Sequence, residues 1–122
     1  MKLQEVYASE QNHIGSWVDI GYKDPAGGDG STSHSTSNFS YINVVSGTGT
    51  AATGTWKAAS IVGLNDCQIG STWAILSEYA SNTGNVTAQA SFTGVGGSAC
   101  TIAGLTPNFC KVGNKTGGAG CN

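Results

Sequence analysis

Between Leu3 and Val18 the apolar residues Leu3, Val6, Tyr7, Ile14, Trp17 and Val18 recur at spacings of three, four and seven. That is the repeat of an α-helix with one apolar face. Glu10 interrupts the face without moving it. The pattern predicts an amphipathic helix of about four turns, with Leu3, Val6, Tyr7, Ile14 and Trp17 packing it onto a sheet. No capping residue stands before the periodic run, so residues 1–20 read as the lower part of a longer helix. The stretch DPAGGDGSTSHSTSN, residues 24–38, has no apolar period and reads as a flexible surface loop.

Beyond that loop the period changes to two. NFSYINVVS alternates aromatic and polar positions, and TWKAASIVGL carries Trp56, Ile61 and Leu64. STWAILSEY sets Trp73, Ile75 and Tyr79 on one face, and NVTAQASFTGV does the same with Val86, Ala88, Ala90 and Phe92. Alternation of this kind marks half-buried strands, and ASNTGN between the last two supplies turn residues for an antiparallel hairpin. The expected fold is α+β: an N-terminal amphipathic helix packed on an antiparallel sheet of about four strands, closed by a disulfide-bounded C-terminal loop. Residues 1–122 form one domain, with sheet and tail in 39–122.

Composition narrows the function. Charged residues make up 10% of the chain, arginine is absent, and the five lysines are scattered as Lys2, Lys23, Lys57, Lys111 and Lys115. With a net charge of −2 and no basic stripe, nucleic acid is not an expected partner. The four cysteines, Cys67, Cys100, Cys110 and Cys121, contain no Cys-x-x-Cys pair and have no histidine at zinc-ligand spacing. Disulfides in an oxidising compartment are the reading. Of three possible connectivities, Cys67 with Cys100 and Cys110 with Cys121 is preferred because it closes one medium and one short loop. No signal peptide or membrane span is present in MKLQEVYASEQNHIGSW, so an upstream segment is expected to have been trimmed away.

The order of parts resembles the globular head of type IV pilins and type II secretion pseudopilins. LQEVYASEQNHIGSWVDIGY resembles the stretch in which the helix of such pilins passes into the head. SNFSY, TWKAASIVGLNDC and LTPNFC resemble segments of pilin heads in which strands, a cysteine and a late Thr-Pro-Asn-Phe element follow one another. The resemblance implies a bacterial filament subunit that travels through the periplasm to the cell surface. Its partners would be copies of itself or other pilins, and it would touch the inner membrane only through an N-terminal apolar helix absent here. Without that helix the chain is expected to be monomeric. The resemblance also makes Cys110–Cys121 the disulfide that pins an irregular tail to the sheet.

Candidate chemistry is sparse. Asp24 and Asp29 in DPAGGDG are candidate calcium ligands, although the spacing is not that of an EF-hand and a solvated turn is the plainer reading; no cofactor is expected. His13 and His34 accompany no catalytic motif, and the chain is not expected to be an enzyme. Trp17 and Trp73 fall in periodic segments and read as core. Trp56 follows a Gly/Thr-rich stretch and is the candidate adhesive aromatic, which supports an alternative reading as a secreted carbohydrate-binding or adhesive module. Sequons begin at Asn38, Asn85 and Asn114.

Overall fold

The computed structural model of the protein describes residues 2–64, 67–80, 82–96, 100, 101, 106, 108–115 and 117–121. Asn65 and Asp66 before Cys67, Ser81 of the ASNTGN turn segment, Leu105 and Pro107 of LTPNFC, and Thr116 of the third sequon lie outside the described residues.

The long N-terminal helix does not form. Helix α1 covers Lys2–Gln11 and stops where Asn12 turns left-handed at φ 60°, a backbone state that ends helices and that asparagine tolerates. The chain then bends at Asn12 and His13 and runs to Ser16, which opens a second, four-residue helix, α2 (Trp17–Ile20). Ser16 and Asp19 form a reciprocal capping box, Asp19 N–H to Ser16 Oγ at 3.3 Å and Ser16 N–H to Asp19 Oδ2 at 3.0 Å, so two orphan donors find acceptors.

The break changes which residues face inward. The inner side of α1 is Gln4 and Ala8, while Leu3 and Val6 are 46% and 56% exposed and Tyr7 is half-buried, edge-on to His13. Gln4 can be buried because its side chain makes two bonds to Gly15, one from Nε2 to the carbonyl and one to Oε1 from the amide, both 2.9 Å. Ile14 and Trp17 are buried, but they reach the core from the returning chain and not from the helix face.

Among the described residues the sheet has five antiparallel strands in sequence order: β1 (His34–Ser35), β2 (Phe39–Ser46), β3 (Thr53–Ser60), β4 (Thr72–Ala80) and β5 (Asn85–Thr93). The expected long helix on four strands is therefore corrected to a five-stranded meander carrying short helices. The additional strand, β1, arises inside the predicted loop, where His34 and Ser35 pair with Tyr41 and Ser40. Register places Tyr41, Ala58, Trp73 and Phe92 in one row across the sheet, and Asn43, Trp56, Ile75 and Ala90 in the next. Side chains alternate faces along a strand, so these rows define the covered face. The other face carries rows such as Val44, Thr55, Leu76 and Gln89.

Three clusters cover the inner face. Ala8 and Ile14 pack with Val86 near the β4–β5 hairpin, and Trp17 packs with Tyr41 and Ala58. Cys67 and Cys100 pack with Trp73 and Phe92. Asn43 ties the second cluster together, accepting from Trp17 N–H at 3.2 Å and donating to the Thr55 carbonyl at 3.2 Å.

Candidate functional site: a stapled sheet edge and an aromatic cleft

A meander leaves two open edges, each a row of unpaired backbone groups that can recruit another strand. At one edge β1 is only two residues long. At the other, β5 is covered by the C-terminal tail. Asn114 does most of the joining: its Oδ1 accepts from Ala88 N–H at 2.8 Å and its Nδ2 donates to the Val86 carbonyl at 3.1 Å. The backbone N–H groups of Asn114 and Lys115 both reach the Ala88 carbonyl, at 3.1 and 3.0 Å, and Phe92 N–H donates to the Ala119 carbonyl at 2.7 Å.

Glycine makes this close passage possible. A β-carbon on Gly118 would strike the Ala90 carbonyl, and one on Gly120 would strike that of Phe92. Neither clash could be relieved by a rotamer change, because the obstacle is backbone. The disulfide Cys110–Cys121, Cα atoms 5.4 Å apart, closes the tail on itself. An ion pair from Lys115 to Glu78, 3.6 Å and about half exposed, adds little. The second disulfide, Cys67–Cys100 with Cα atoms 4.8 Å apart, is buried against Trp73 and Phe92.

The covers leave the middle of the inner face open. A cleft of about 500 Å³ lies there, walled by Phe39, Tyr41, Trp56, Leu64, Trp73 and Phe109. Trp73 is buried and its Nε1 donates to Thr106 Oγ1 at 2.9 Å; the Tyr41 hydroxyl lies 3.3 Å from Thr36 Oγ1. Trp56 is half-buried, its ring 6.3 Å from that of Tyr41. A smaller groove of about 260 Å³ continues past Trp56 between Leu3, Ile20, Ile75 and Val112. Such walls favour a flat apolar group over a charged one.

The other candidates fall apart spatially or serve local turns. Asp24 Oδ1 accepts from the N–H groups of Ala26 and Gly28 at 2.7 and 3.0 Å. Asp29 Oδ1 accepts from Ser31 Oγ and N–H at 2.6 and 3.0 Å. Those two bonds, the side-chain one first, hold the Asp29 carboxyl below the usual aspartate range, with a smaller contribution from the Lys23 charge. Among the described residues no three His, Cys, Asp or Glu side chains are grouped to hold a metal ion, and no helix is long and apolar enough to cross a membrane. His13 Nδ1 lies 2.9 Å from the Ile14 carbonyl, and His34 is exposed on β1.

Sequence reasoning missed Asn114, which reads as a sequon but acts as the clamp on β5. It also missed Gln4, whose burial depends on Gly15 and leaves no periodic trace. The two cysteines that bound the Gly-rich run 110–121 were the available signal for the tail. No family model, curated protein or solved structure matches the chain.

Proposed function

We propose that the chain is a structural subunit of an extracellular filament of the type IV pilus kind. Subunits would meet head to tail, joined by an apolar helix running into α1 from upstream. The observation that carries this reading is the covered β5 edge. A subunit whose sheet edges are blunted by a two-residue strand on one side and a disulfide-closed tail on the other is poorly suited to extend by strand pairing. Its association would run through side-chain surfaces. Heterologous contacts grow a fibre where the rotation between neighbours does not close into a ring. Both disulfides fit assembly outside a reducing cytosol.

The coding sequence upstream of Met1 tests the proposal. It predicts a short basic leader followed by about twenty apolar residues, the length of a membrane span, in helical phase with α1. An ordinary cleavable signal peptide joined directly to Leu3 would overturn it.

A second reading, a secreted carbohydrate-binding or adhesive module, rests on Trp56 and the cleft beside it. It requires saturable glycan binding that Trp56→Ala abolishes. The absence of such binding across a glycan array removes this reading and leaves the first untouched.

A further inference from the structure

The tail is held on its own sheet by contacts that a second copy of the chain offers in identical form. From Gly113 onward the tail lies against β5: the Asn114 side chain bonds the Ala88 N–H and the Val86 carbonyl, and the Ala119 carbonyl takes the Phe92 N–H. Gly113, Gly118 and Gly120 pass so near the carbonyls of Ala88, Ala90 and Phe92 that a β-carbon would collide with each. Cys110 is placed differently. It sits in the 3-10 turn Phe109–Lys111, whose Phe109 packs against the cluster of Trp73 and Phe92. The bridge Cys110–Cys121 therefore ties the end of the tail to a turn anchored on the body. Between that turn and Gly113 stands Val112, exposed like Lys111 before it. Gly113 bends the chain there at φ 98°, and glycine can exchange that state for an extended one without steric cost. Residues 111–113 in extended form would carry the tail roughly 10 Å from its own body. Short hinges of this kind favour exchange of the segment beyond them between copies.

We propose that the tail is exchangeable: the tail of one chain docks on β5 of a second copy, and its Cys121 pairs with Cys110 of that copy. The occupant is set by fit, since the segment that passes the carbonyls of β5 is glycine at each close approach and carries Asn114 for the clamp. The bond changes balance with a small thiol as the carrier. Its thiolate attacks Cys121 of one tail bridge and releases Cys110 as a thiolate. That Cys110 attacks Cys121 in the bridge of the second copy, releasing the second Cys110, which attacks the first mixed disulfide and expels the small thiolate again. Two bridges within chains become two between chains, and nothing is oxidised or reduced overall. Access decides which bridge takes part: Cys110 and Cys121 are half-buried, whereas Cys67 and Cys100 are 2% and 8% exposed among aromatic rings. Exchange keeps every β5 edge covered, and it stands whether or not the chain builds a filament through its side-chain surfaces.

The test mixes two variants of the full chain, neither of which can close its own tail. Cys110→Ser keeps the thiol on the tail and Cys121→Ser keeps the thiol on the body. After mixing in a glutathione redox buffer, non-reducing electrophoresis and mass spectrometry count the disulfide-linked pairs. The heterodimer, Cys121 to Cys110, should exceed each homodimer on the order of tenfold, because docking on β5 raises the local concentration of the two thiols. Gly118→Ala in the Cys110→Ser chain, whose tail is the donor, should remove that excess. The same substitution in the Cys121→Ser chain, whose tail is displaced, should leave it in place. Hydrogen exchange gives an independent reading: the Ala88 and Phe92 amides of the Cys121→Ser chain should gain protection in the heterodimer. A heterodimer no more abundant than the homodimers overturns the exchange. So does a Gly118→Ala effect that is the same in either chain, or a heterodimer in which Ala88 and Phe92 stay unprotected.

Discussion

Replacing Cys110 and Cys121 together by serine should unfasten the tail while leaving the sheet itself intact. The disulfide spans 11 positions, and closing a loop of that size lowers the entropy of the unfolded chain by an amount worth about 3 kcal/mol at 25 °C. Cys110 and Cys121 are only half-buried, so little cavity cost is added. The longer bridge, across 33 positions, is worth about 4 kcal/mol by the same relation, and its sulfurs are buried among aromatics. Removing the Cys67–Cys100 bridge should therefore cost clearly more. Urea unfolding followed by tryptophan fluorescence, under non-reducing conditions, measures both. With a slope of about 1.5 kcal/mol/M, the tail variant should lose roughly 2 M in its midpoint. Hydrogen exchange supplies the structural half of the test. Protection should fall at the Ala88 and Phe92 amides, whose acceptors lie on the tail, and stay unchanged in β3. A midpoint loss below about 0.5 M, or unchanged protection at Ala88 and Phe92, would refute the view that the staple holds the tail over the edge of β5.

Three further outcomes follow from the same geometry. Asn114→Ala removes two hydrogen bonds to β5 and should cost about 1–2 kcal/mol in the same urea assay; a change within error would mean the backbone contacts suffice. Trp73→Ala, at a buried site with a bonded indole, should cost about 3–5 kcal/mol, and Trp56→Ala distinctly less because its ring is half-exposed; the reverse order would show that the cleft is closed in solution. Ser31→Ala should raise the depressed Asp29 pKa toward its ordinary value, read by carboxyl NMR titration. In the wild type that depressed pKa favours the folded state above the unfolded-state aspartate pKa, an advantage lost as pH falls through the folded one.

Strands β2 to β5 were readable because Tyr41, Trp73 and Phe92 alternate with polar neighbours and Ser/Asn/Gly turns separate the runs. Strand β1 was not, since two residues inside a Ser/Thr stretch carry no period. The helix ends earlier than apolar spacing predicts, because Ser16-x-x-Asp19 is a capping box and Asn12 is a helix terminator. Hydrophobicity points to Leu3 and Val6 as the inner face, whereas the inner positions are Gln4, paired with Gly15, and the small Ala8. The cleft could not be foreseen either. It exists because short helices cover only part of a wide aromatic row, which is a consequence of tertiary arrangement and not of any local motif.

Immunogold electron microscopy of the producing cells, with antibodies raised against this chain, tests the filament reading most directly. The account predicts gold particles spaced along thin surface filaments that disappear when the gene is deleted. Labelling confined to the secreted soluble fraction, with filaments bare or unaffected by the deletion, would contradict it.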